Sequence, residues 1–295
     1  MMKKKIKFGK ICIHALLILL SLTFVIPIVI VISMSLSSEE VIARQGYSVF
    51  PKAIDFSAYQ YVFKNPAIIL DAYKVTVLIS VVGTLVSVLI MMMCAYSLSR
   101  RSFKLRSAIN FYLFFTLLFN GGMVPRYIVV TQYLHLQDTL WILILNLLVN
   151  VWYVYIFRTF MKDIPESVIE SAMLDSAGEF TIFFRIVAPL CKPAIATVGL
   201  FVLLNYWNEW TTALLYIDDE KKYPLQYLLQ KILQNIQNVM MNMNRTPIGS
   251  AEATKMPTET VRMALAVVAT GPMLVIMPFF QKYFVRGMTL GSVKG

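Results

Sequence analysis

The sequence predicts an all-α membrane protein with six transmembrane helices. Three observations lead to this fold class: 58% of the 295 residues are hydrophobic, only 15% are charged, and the mean hydropathy is +0.68. Such a composition is too apolar for a disordered chain and is typical of a multi-span membrane protein. Several apolar runs are long enough to cross about 30 Å of hydrocarbon as helices.

The first two predicted spans flank a long loop. Residues 11–34 follow a lysine-rich tail, and their apolar run is too long for a secretory signal peptide, so we expect a retained first span. Residues 35–74 mix polar and apolar side chains and are predicted to form an external loop. Residues 75–98 form the second predicted span.

The third predicted span is interrupted. Residues 107–119 reach only about 20 Å as a helix. The run NGGMVP at 120–125 should then break or kink the helix, so this span is either short and tilted or continues past a kink. The remaining predicted spans are residues 140–157, 193–216 and 261–280.

Charge sets the predicted orientation. Lys and Arg residues are denser on the N-terminal tail and on the loops that share its side, which places both termini in the cytoplasm. This orientation explains the net charge of +11 better than nucleic-acid binding does. The predicted parts are residues 1–34, the basic tail and first span; 35–74, the extracellular loop; 75–281, the transmembrane domain with five helices and a loop over 162–192; and 282–295, the cytoplasmic tail.

Neither catalytic nor metal-binding residues are expected. Cys12, Cys94 and Cys191 lie within or beside apolar spans, far apart and without a CxxC pair, so we interpret them as small buried hydrophobes. His14 and His135 have no ligand-type neighbours. No HExxH motif, paired intramembrane Asp or Ser/His set indicates an enzyme.

A polar segment at 170–193, ESAMLDSAGEFTIFFRIVAPLCKP, interrupts the apolar sequence. Asp163, Pro165 and Glu166 predict a capped helix start before it, and Gly178 is the predicted stop. Small side chains near the end of this helix would allow another surface to approach closely; an ordinary amphipathic connector is the alternative. These small residues are Ser171, Ala172, Ser176, Ala177 and Gly178.

A second short helix is predicted next, with Pro189 ending it. Its apolar side chains recur at i, i+3, i+4 and i+7, which predicts one aromatic-rich face that rests on the bundle or fills a partner's groove. That face comprises Phe180, Phe183, Phe184 and Val187. Glu170 and Asp175 can pair with basic groups on a partner.

The predicted fifth span contains the only acid that we place inside the membrane, Glu209. Such an acid is costly unless it faces water or a partner. Together with Asn205, Trp207 and Asn208 it forms a set suited to sugars, because amides and carboxylates bind hydroxyls and an indole covers an apolar sugar face. The alternative is a structural polar cluster near the outer interface. On the fourth span, Asn146 and Asn150 lie one turn apart and are further candidates, with inter-helix hydrogen bonding as the alternative.

The polar segment resembles the signature loop of the membrane subunits of bacterial binding-protein-dependent ABC importers. That loop has the form Glu-Ala-Ala, two variable residues, Asp-Gly-Ala, then a spacer with Leu, Pro and a following Pro. Ser171 and Ser176 depart from it while keeping a small side chain, and Gly178 is expected to supply the flexibility of the missing glycine. The matching residues are Glu170, Ala172, Asp175, Ala177, Pro189, Leu190 and Pro193.

Three further motifs narrow the resemblance. NYWNEW at 205–210 resembles a Trp-Asn-acid signature of carbohydrate-type importers. NGGMVPRY at 120–127 and the C-terminal QKYFVRGMTLGSVKG resemble a subgroup that imports oligosaccharides or polysaccharide fragments. The resemblance covers residues from about 75 to the end of the chain.

This resemblance implies a type I ABC importer permease fold with a cytoplasmic coupling helix between spans four and five. It implies a multi-pass subunit of a bacterial cytoplasmic membrane complex, with a second homologous permease, two ATPase subunits, an extracellular solute-binding protein and a sugar substrate. The implied coupling residues are Glu170, Ser171, Ala172, Asp175, Ser176, Ala177, Gly178 and Phe180.

No cofactor is expected on this chain. It lacks a Gly-x-x-x-x-Gly-Lys-[Ser/Thr] phosphate loop, so ATP and Mg are expected on the partner ATPase. An ABC permease for a non-sugar solute is the alternative within the class. A secondary transporter is disfavoured by the single intramembrane acid and the lack of an intramembrane lysine or a His relay.

Overall fold

The computed structural model describes residues 8–243 and 258–292, and most of these residues are helical. Within that part of the chain, β-type pairing is limited to one bridge between Ser37 and Ile54. The all-α prediction is therefore confirmed. The C-terminal motif noted above lies partly outside the described residues, which end at Ser292.

The chain divides into two compact units. The first contains the described residues up to Pro66 and those of 229–272. Its helices are α1 (Phe8–Ser35), α2 (Glu39–Gln45), α3 (Ser57–Val62), most of α14 (Leu225–Met243) and the first part of α15 (Glu259–Ser292).

One carboxylate organises the first unit. Glu39 accepts hydrogen bonds at Oε1 from the Glu259 backbone N–H (3.0 Å) and from Thr258 Oγ1 (3.1 Å). At Oε2 it accepts from the backbone N–H (3.0 Å) and Oγ1 (2.8 Å) of Thr260. A carboxylate is favourable at a helix N-terminus, where backbone N–H groups lack partners, so Glu39 fixes the start of α15.

The second unit holds residues 67–228, with the described chain after 272. Apart from α4 and α12, the helices of this unit up to α13 are short and interrupted. They are α4 (Pro66–Ser99), α5 (Arg106–Leu118), α6 (Met123–Ile128), α7 (Leu140–Leu145), α8 (Val151–Lys162), α9 (Glu166–Leu174), α10 (Glu179–Ile182), α11 (Ala188–Leu190), α12 (Lys192–Asn208) and α13 (Thr211–Tyr216); Val129–Tyr133 and Phe183–Val187 are π-helical turns and Glu220–Lys222 is a 3₁₀ turn.

Tyr206 of α12 belongs to the core of the second unit and is fully buried. Its hydroxyl donates to the Ile144 carbonyl oxygen (2.7 Å) and shares a hydrogen bond with Ser87 Oγ (3.0 Å). Gly83 of α4 leaves the space for the ring, because a Cβ there would lie 2.5 Å from Tyr206 Cζ. Tyr206 thus joins α4, α7 and α12 through a satisfied polar contact within an apolar core.

Three helices are long and apolar enough to cross a membrane: Cys12–Ser35, Pro66–Ser99 and Glu259–Pro278. Two bent pairs could each supply one more span, Arg106–Leu118 with Met123–Tyr133 (116°) and Glu179–Leu190 with Lys192–Asn208 (82°). The apolar part of Cys12–Ser35 is not buried within the protein, as expected for contact with lipid or a partner. The described residues therefore give three spans, or up to five, and the count of six stays a prediction.

The predicted fourth span, 140–157, is wrong as a continuous helix. Helix α7 ends at Leu145 and α8 begins at Val151. The side chain of Asn150 accepts a hydrogen bond from the Trp152 backbone N–H (2.9 Å), which caps α8 and fixes the break. The predicted fifth span, 193–216, is likewise divided, because α12 ends at Asn208.

Candidate functional site

Three helix breaks of the second unit border one cavity of about 310 Å³. The first break lies between α5 and α6, where Gly122 has a φ of 87°, a conformation that favours glycine. Asn120 stabilises this turn, because its Oδ1 accepts from the Gly122 backbone N–H (2.9 Å). The break that the sequence predicted at 120–125 is therefore present.

The second break, between α7 and α8, places Asn146 in the cavity wall. The amide of Asn146 donates to Thr212 Oγ1 (2.6 Å), so it links α7 to α13. Asn150 instead caps α8 and is not in that wall. The prediction of two amides one turn apart on one helix is wrong, because the cap ends the helical register between them.

The third break separates α12 from α13 and contains Glu209. Its Oε1 accepts from the backbone N–H (2.8 Å) and Oγ1 (3.0 Å) of Thr212, and also from Thr211 Oγ1. The carboxylate thereby satisfies the first turn of α13. Glu209 therefore lies at a break between two helices and not within a continuous span.

No residue of the NYWNEW motif, Glu209 included, lines the cavity. Trp207 is only 3% exposed, and its ring lies 6.5 Å from that of Tyr73. Asn205 donates to Tyr153 Oη (3.3 Å), and Asn208 donates to the Leu204 carbonyl oxygen (2.9 Å). The motif therefore supplies contacts between helices and a helix cap, and a substrate role for its residues stays a prediction.

Arg126 gives the cavity its charge. It lies on α6, is exposed, and forms no ion pair with the described side chains. No Asp or Glu side chain lines this cavity. Sequence reasoning missed this residue; the available signal was a single arginine directly after the NGGMVP break.

The cavity also presents hydrogen-bonding groups and an aromatic wall. The Tyr216 hydroxyl is buried and has no hydrogen-bond partner within the described part of the chain. Its ring stacks on that of Tyr127, with centroids 5.6 Å apart and planes 15° apart. A guanidinium binds a carboxylate through two parallel hydrogen bonds, while amides and hydroxyls bind sugar hydroxyls. The cavity can therefore bind an acidic, hydroxyl-rich solute.

The polar loop between α8 and α12 differs from the predicted helices. Helix α9 starts at Glu166 without a side-chain cap, since Asp163 instead ends α8, so the predicted capping box is wrong. Helix α9 ends at Leu174, four residues before the predicted stop. Gly178 has an ordinary φ of −70° and precedes α10.

Ser176 takes the left-handed conformation of this loop, with a φ of 58°. This is the position where the importer signature has glycine. A left-handed L-residue costs about 1–2 kcal/mol, which small polar residues tolerate better than branched ones. The left-handed angle in this loop is therefore at Ser176 itself and not at Gly178.

The loop exposes most of its candidate coupling residues. Ala172 is an exception, at 9% exposed, because it packs into the core of the second unit, and Ala177 is half-buried. Leu174, which sequence reasoning missed, is 87% exposed beside them. The remaining candidates are all exposed: Glu170, Ser171, Asp175, Ser176, Gly178 and Phe180.

The predicted aromatic face is split. Phe183 and Val187 are buried, whereas Phe180 and Phe184 are exposed. The reason is the π-helical turn at Phe183–Val187, which shifts the register away from the 3.6-residue repeat. Pro189 does not end the second short helix, which continues to Leu190 before an 82° bend.

Comparison with protein-family models gives no match. The chain is 39% identical over 283 residues to the polygalacturonan/rhamnogalacturonan transport system permease protein YtcP of Bacillus subtilis (strain 168), covering 96% of this chain and 97% of that protein. It is 30% identical over 285 residues to the arabinooligosaccharides transport system permease protein AraQ of the same organism, covering 94% and 93%.

A solved structure is also similar to this chain. A chain in the crystal structure of a bacterial ABC transporter involved in the import of the acidic polysaccharide alginate has a TM-score of 0.78 and 28% sequence identity. That match covers 96% of this chain and 99% of the other. The similarity thus extends over nearly the whole length in both sequence and fold.

Proposed function

This chain belongs to the permease proteins of sugar ABC transport systems, and from that membership we propose that it forms half of the translocation pathway of an ATP-driven importer of acidic oligosaccharides. The observation that carries the substrate class is Arg126, a guanidinium without an ion-pair partner among the described side chains, in a cavity lined by amides and hydroxyls. Two of the similar proteins are named for polygalacturonan/rhamnogalacturonan and for the acidic polysaccharide alginate, which supports the same class.

The cavity lies where a transport pathway is expected. Broken helices and irregular backbone occur within a membrane where they line a water-filled cavity or a binding site. Here the breaks at Gly122, Asn146 and Thr211 border one polar space. A sugar carboxylate would pair with Arg126, and its hydroxyls would meet Asn120 and Asn146.

The proposed complex contains this chain, a second homologous permease, two ATPase subunits and an external solute-binding protein. Both termini and the loop between α8 and α12 lie on the cytoplasmic side, and the chain crosses the membrane six times. ATP and Mg bind to the ATPase subunits, so this chain carries out no covalent chemistry. The exposed helix α1 supports contact with lipid or with the second permease.

The loop transmits the motion of the ATPase to the bundle. Its exposed apolar side chains, Leu174 and Phe180, would seat in a cleft on the ATPase. Glu179 connects the loop to the end of α4, and α4 packs through Gly83 on Tyr206 of α12. Closure of the ATPase dimer would then favour the outward-open state of the bundle.

Uptake by the reconstituted complex tests this function. Proteoliposomes that contain the full complex should accumulate an oligogalacturonide when ATP is on the ATPase side. A neutral oligosaccharide of equal length should enter at least about tenfold more slowly, because a lost charged hydrogen-bond pair costs about 1.5–3 kcal/mol. Equal uptake of the two sugars would contradict the substrate class, and uptake without ATP would contradict the importer class.

A further inference from the structure

A second cavity of the same unit, of about 460 Å³, lies between the α4–α5 turn and the α8–α9 turn. Four cationic side chains line it: Arg100, Arg101, Arg106 and Lys162. Only Asp163 and Glu166 oppose them in the wall. The cavity therefore carries an excess of positive charge, and it is separate from the cavity that Arg126 lines.

These cations are only weakly neutralised. Arg101 Nη1 lies 3.8 Å from Glu166 Oε2, but both side chains are more than half exposed, so water screens the pair. Arg100 Nη2 lies 3.7 Å from Glu179 Oε1, and its Nε is buried with no hydrogen-bond partner in the described chain. Neither Arg106 nor Lys162 forms an ion pair with a described side chain.

The surroundings indicate what kind of anion fits. Arg106 is the first residue of α5, and no side chain of this helix is buried. Large apolar side chains such as Phe111, Tyr112 and Leu118 are exposed along it. An anionic group at the mouth of the cavity would continue directly into an apolar surface, which is the arrangement that a phospholipid requires.

We propose that the cavity bordered by Arg106 and Lys162 binds the phosphate headgroup of an anionic phospholipid whose acyl chains lie along α5. The phosphate oxygens would accept hydrogen bonds from Arg106 and from Lys162. The site faces the leaflet that holds most anionic lipid if the loop between α8 and α12 is cytoplasmic, as proposed above. It does not depend on which sugar is transported.

A lipid bound at this site would affect the coupling between the ATPase and the bundle. Glu166 and Ile169 of α9 form part of the cavity wall, and Arg100 also contacts Glu179 of the loop. A bound headgroup would therefore hold α9 against the end of α4. An acidic segment of the ATPase could satisfy the same charges, and the experiment separates the two.

Lipid binding to the purified full complex tests the proposal. Native mass spectrometry would count the bound phosphatidylglycerol and compare it with phosphatidylcholine during titration. The double variant Arg106→Gln/Lys162→Gln should bind phosphatidylglycerol roughly 10- to 30-fold more weakly, from the known contribution of each basic residue near a lipid surface. The matched control is Lys104→Gln/Arg185→Gln, which removes two exposed charges outside the cavity and should bind as the wild type does.

Each alternative has a distinct result. Equal affinity for phosphatidylcholine would overturn the proposal. Competition by soluble glycerol phosphate at the same concentration as lipid would assign the cavity to a free phosphate compound. Unchanged lipid binding in the double variant, together with loss of ATPase subunits from the purified complex, would assign it to the ATPase.

Discussion

The hydroxyl of Tyr96 donates a hydrogen bond to Oε2 of Glu179, and this contact joins the end of α4 to the polar loop. Arg100 reinforces it from one turn further on, with Nη2 3.7 Å from the other carboxylate oxygen. The Tyr96 ring also packs on Phe183, with centroids 5.5 Å apart. Tyr96 and Arg100, which no signature motif includes, therefore connect the bundle to the loop.

Tyr96→Phe tests this connection. The change removes the hydrogen bond and keeps the ring against Phe183, so we expect the complex to assemble while sugar-stimulated ATPase activity falls about 3- to 10-fold, as for the loss of one hydrogen bond. The matched control is Tyr112→Phe on the exposed face of α5, which should behave as the wild type does. Full stimulation in Tyr96→Phe would show that this contact does not transmit coupling.

Ser176→Val should disturb the loop, because a branched side chain is strongly disfavoured at a φ of 58°. The cost of about 1–2 kcal/mol should lower the fraction of ATPase that co-purifies with the complex. Ser176→Gly should retain wild-type assembly. Gly178→Ala is the control, since Gly178 has a φ of −70° and an added Cβ there would have no atom within 4 Å. A defect there larger than in Ser176→Val would contradict the assignment.

Arg126→Gln should reduce uptake of an acidic oligosaccharide roughly 10- to 100-fold and leave uptake of a neutral one nearly unchanged. Arg126→Lys should recover part of the activity, because an ammonium keeps the charge but not the paired geometry. Initial uptake rates in proteoliposomes measure both. An equal loss for both sugars would indicate a structural role for Arg126.

Gly83→Ala should destabilise the second unit. An added Cβ would lie 2.5 Å from the buried Tyr206 ring, and overpacking of this kind costs about 1–3 kcal/mol. The thermal midpoint of the purified complex should fall measurably. Gly199→Ala is the matched control, because the nearest atom to a Cβ there is Val88 Cγ2 at 4.0 Å. Equal midpoints for the two variants would contradict the close packing.

The contacts of Asp138 predict that the stability of the protein depends on pH. The Asp219 backbone N–H and then the Lys222 ammonium hold the pKa of the Asp138 carboxyl below its ordinary value. A lowered folded-state pKa contributes stability that is present above the unfolded pKa of about 3.9 and is lost as the pH falls through the folded value. The difference in thermal midpoint between wild type and Asp138→Asn should therefore be constant from neutral pH to about 4 and shrink below it. Asp71→Asn, which removes only an exposed pair with Lys74, should show no such difference.

The sequence predicted the features that depend on local chemistry. Apolar composition gave the all-α class, and the glycine pair at Gly121 and Gly122 gave the break before α6. The sequence placed the polar loop where small and charged residues interrupt an apolar sequence, and the structure has short helices there between α8 and α12. These signals are local, so they do not depend on knowing which helices meet.

The structure was needed for the features that depend on packing between helices, namely the burial and the partners of individual side chains. Ala172 is buried and Leu174 is exposed because one side of α9 lies on the core, and the sequence alone does not show which elements cover that side. The sequence placed Glu209 inside a span, whereas it lies at the break between α12 and α13, and its partners are the backbone and hydroxyls of α13. Arg126 became notable only when three helix breaks placed amides and hydroxyls around it.

Sugar-stimulated ATPase activity of the reconstituted complex with Leu174→Asp tests the central claim most directly. Leu174 is 87% exposed, so the change should leave the fold intact while placing a charge in the proposed ATPase cleft. We predict that an acidic oligosaccharide with its binding protein stimulates the wild type and no longer stimulates the variant, whose permease still inserts in the membrane. Wild-type stimulation in the Leu174→Asp complex would contradict coupling through this loop.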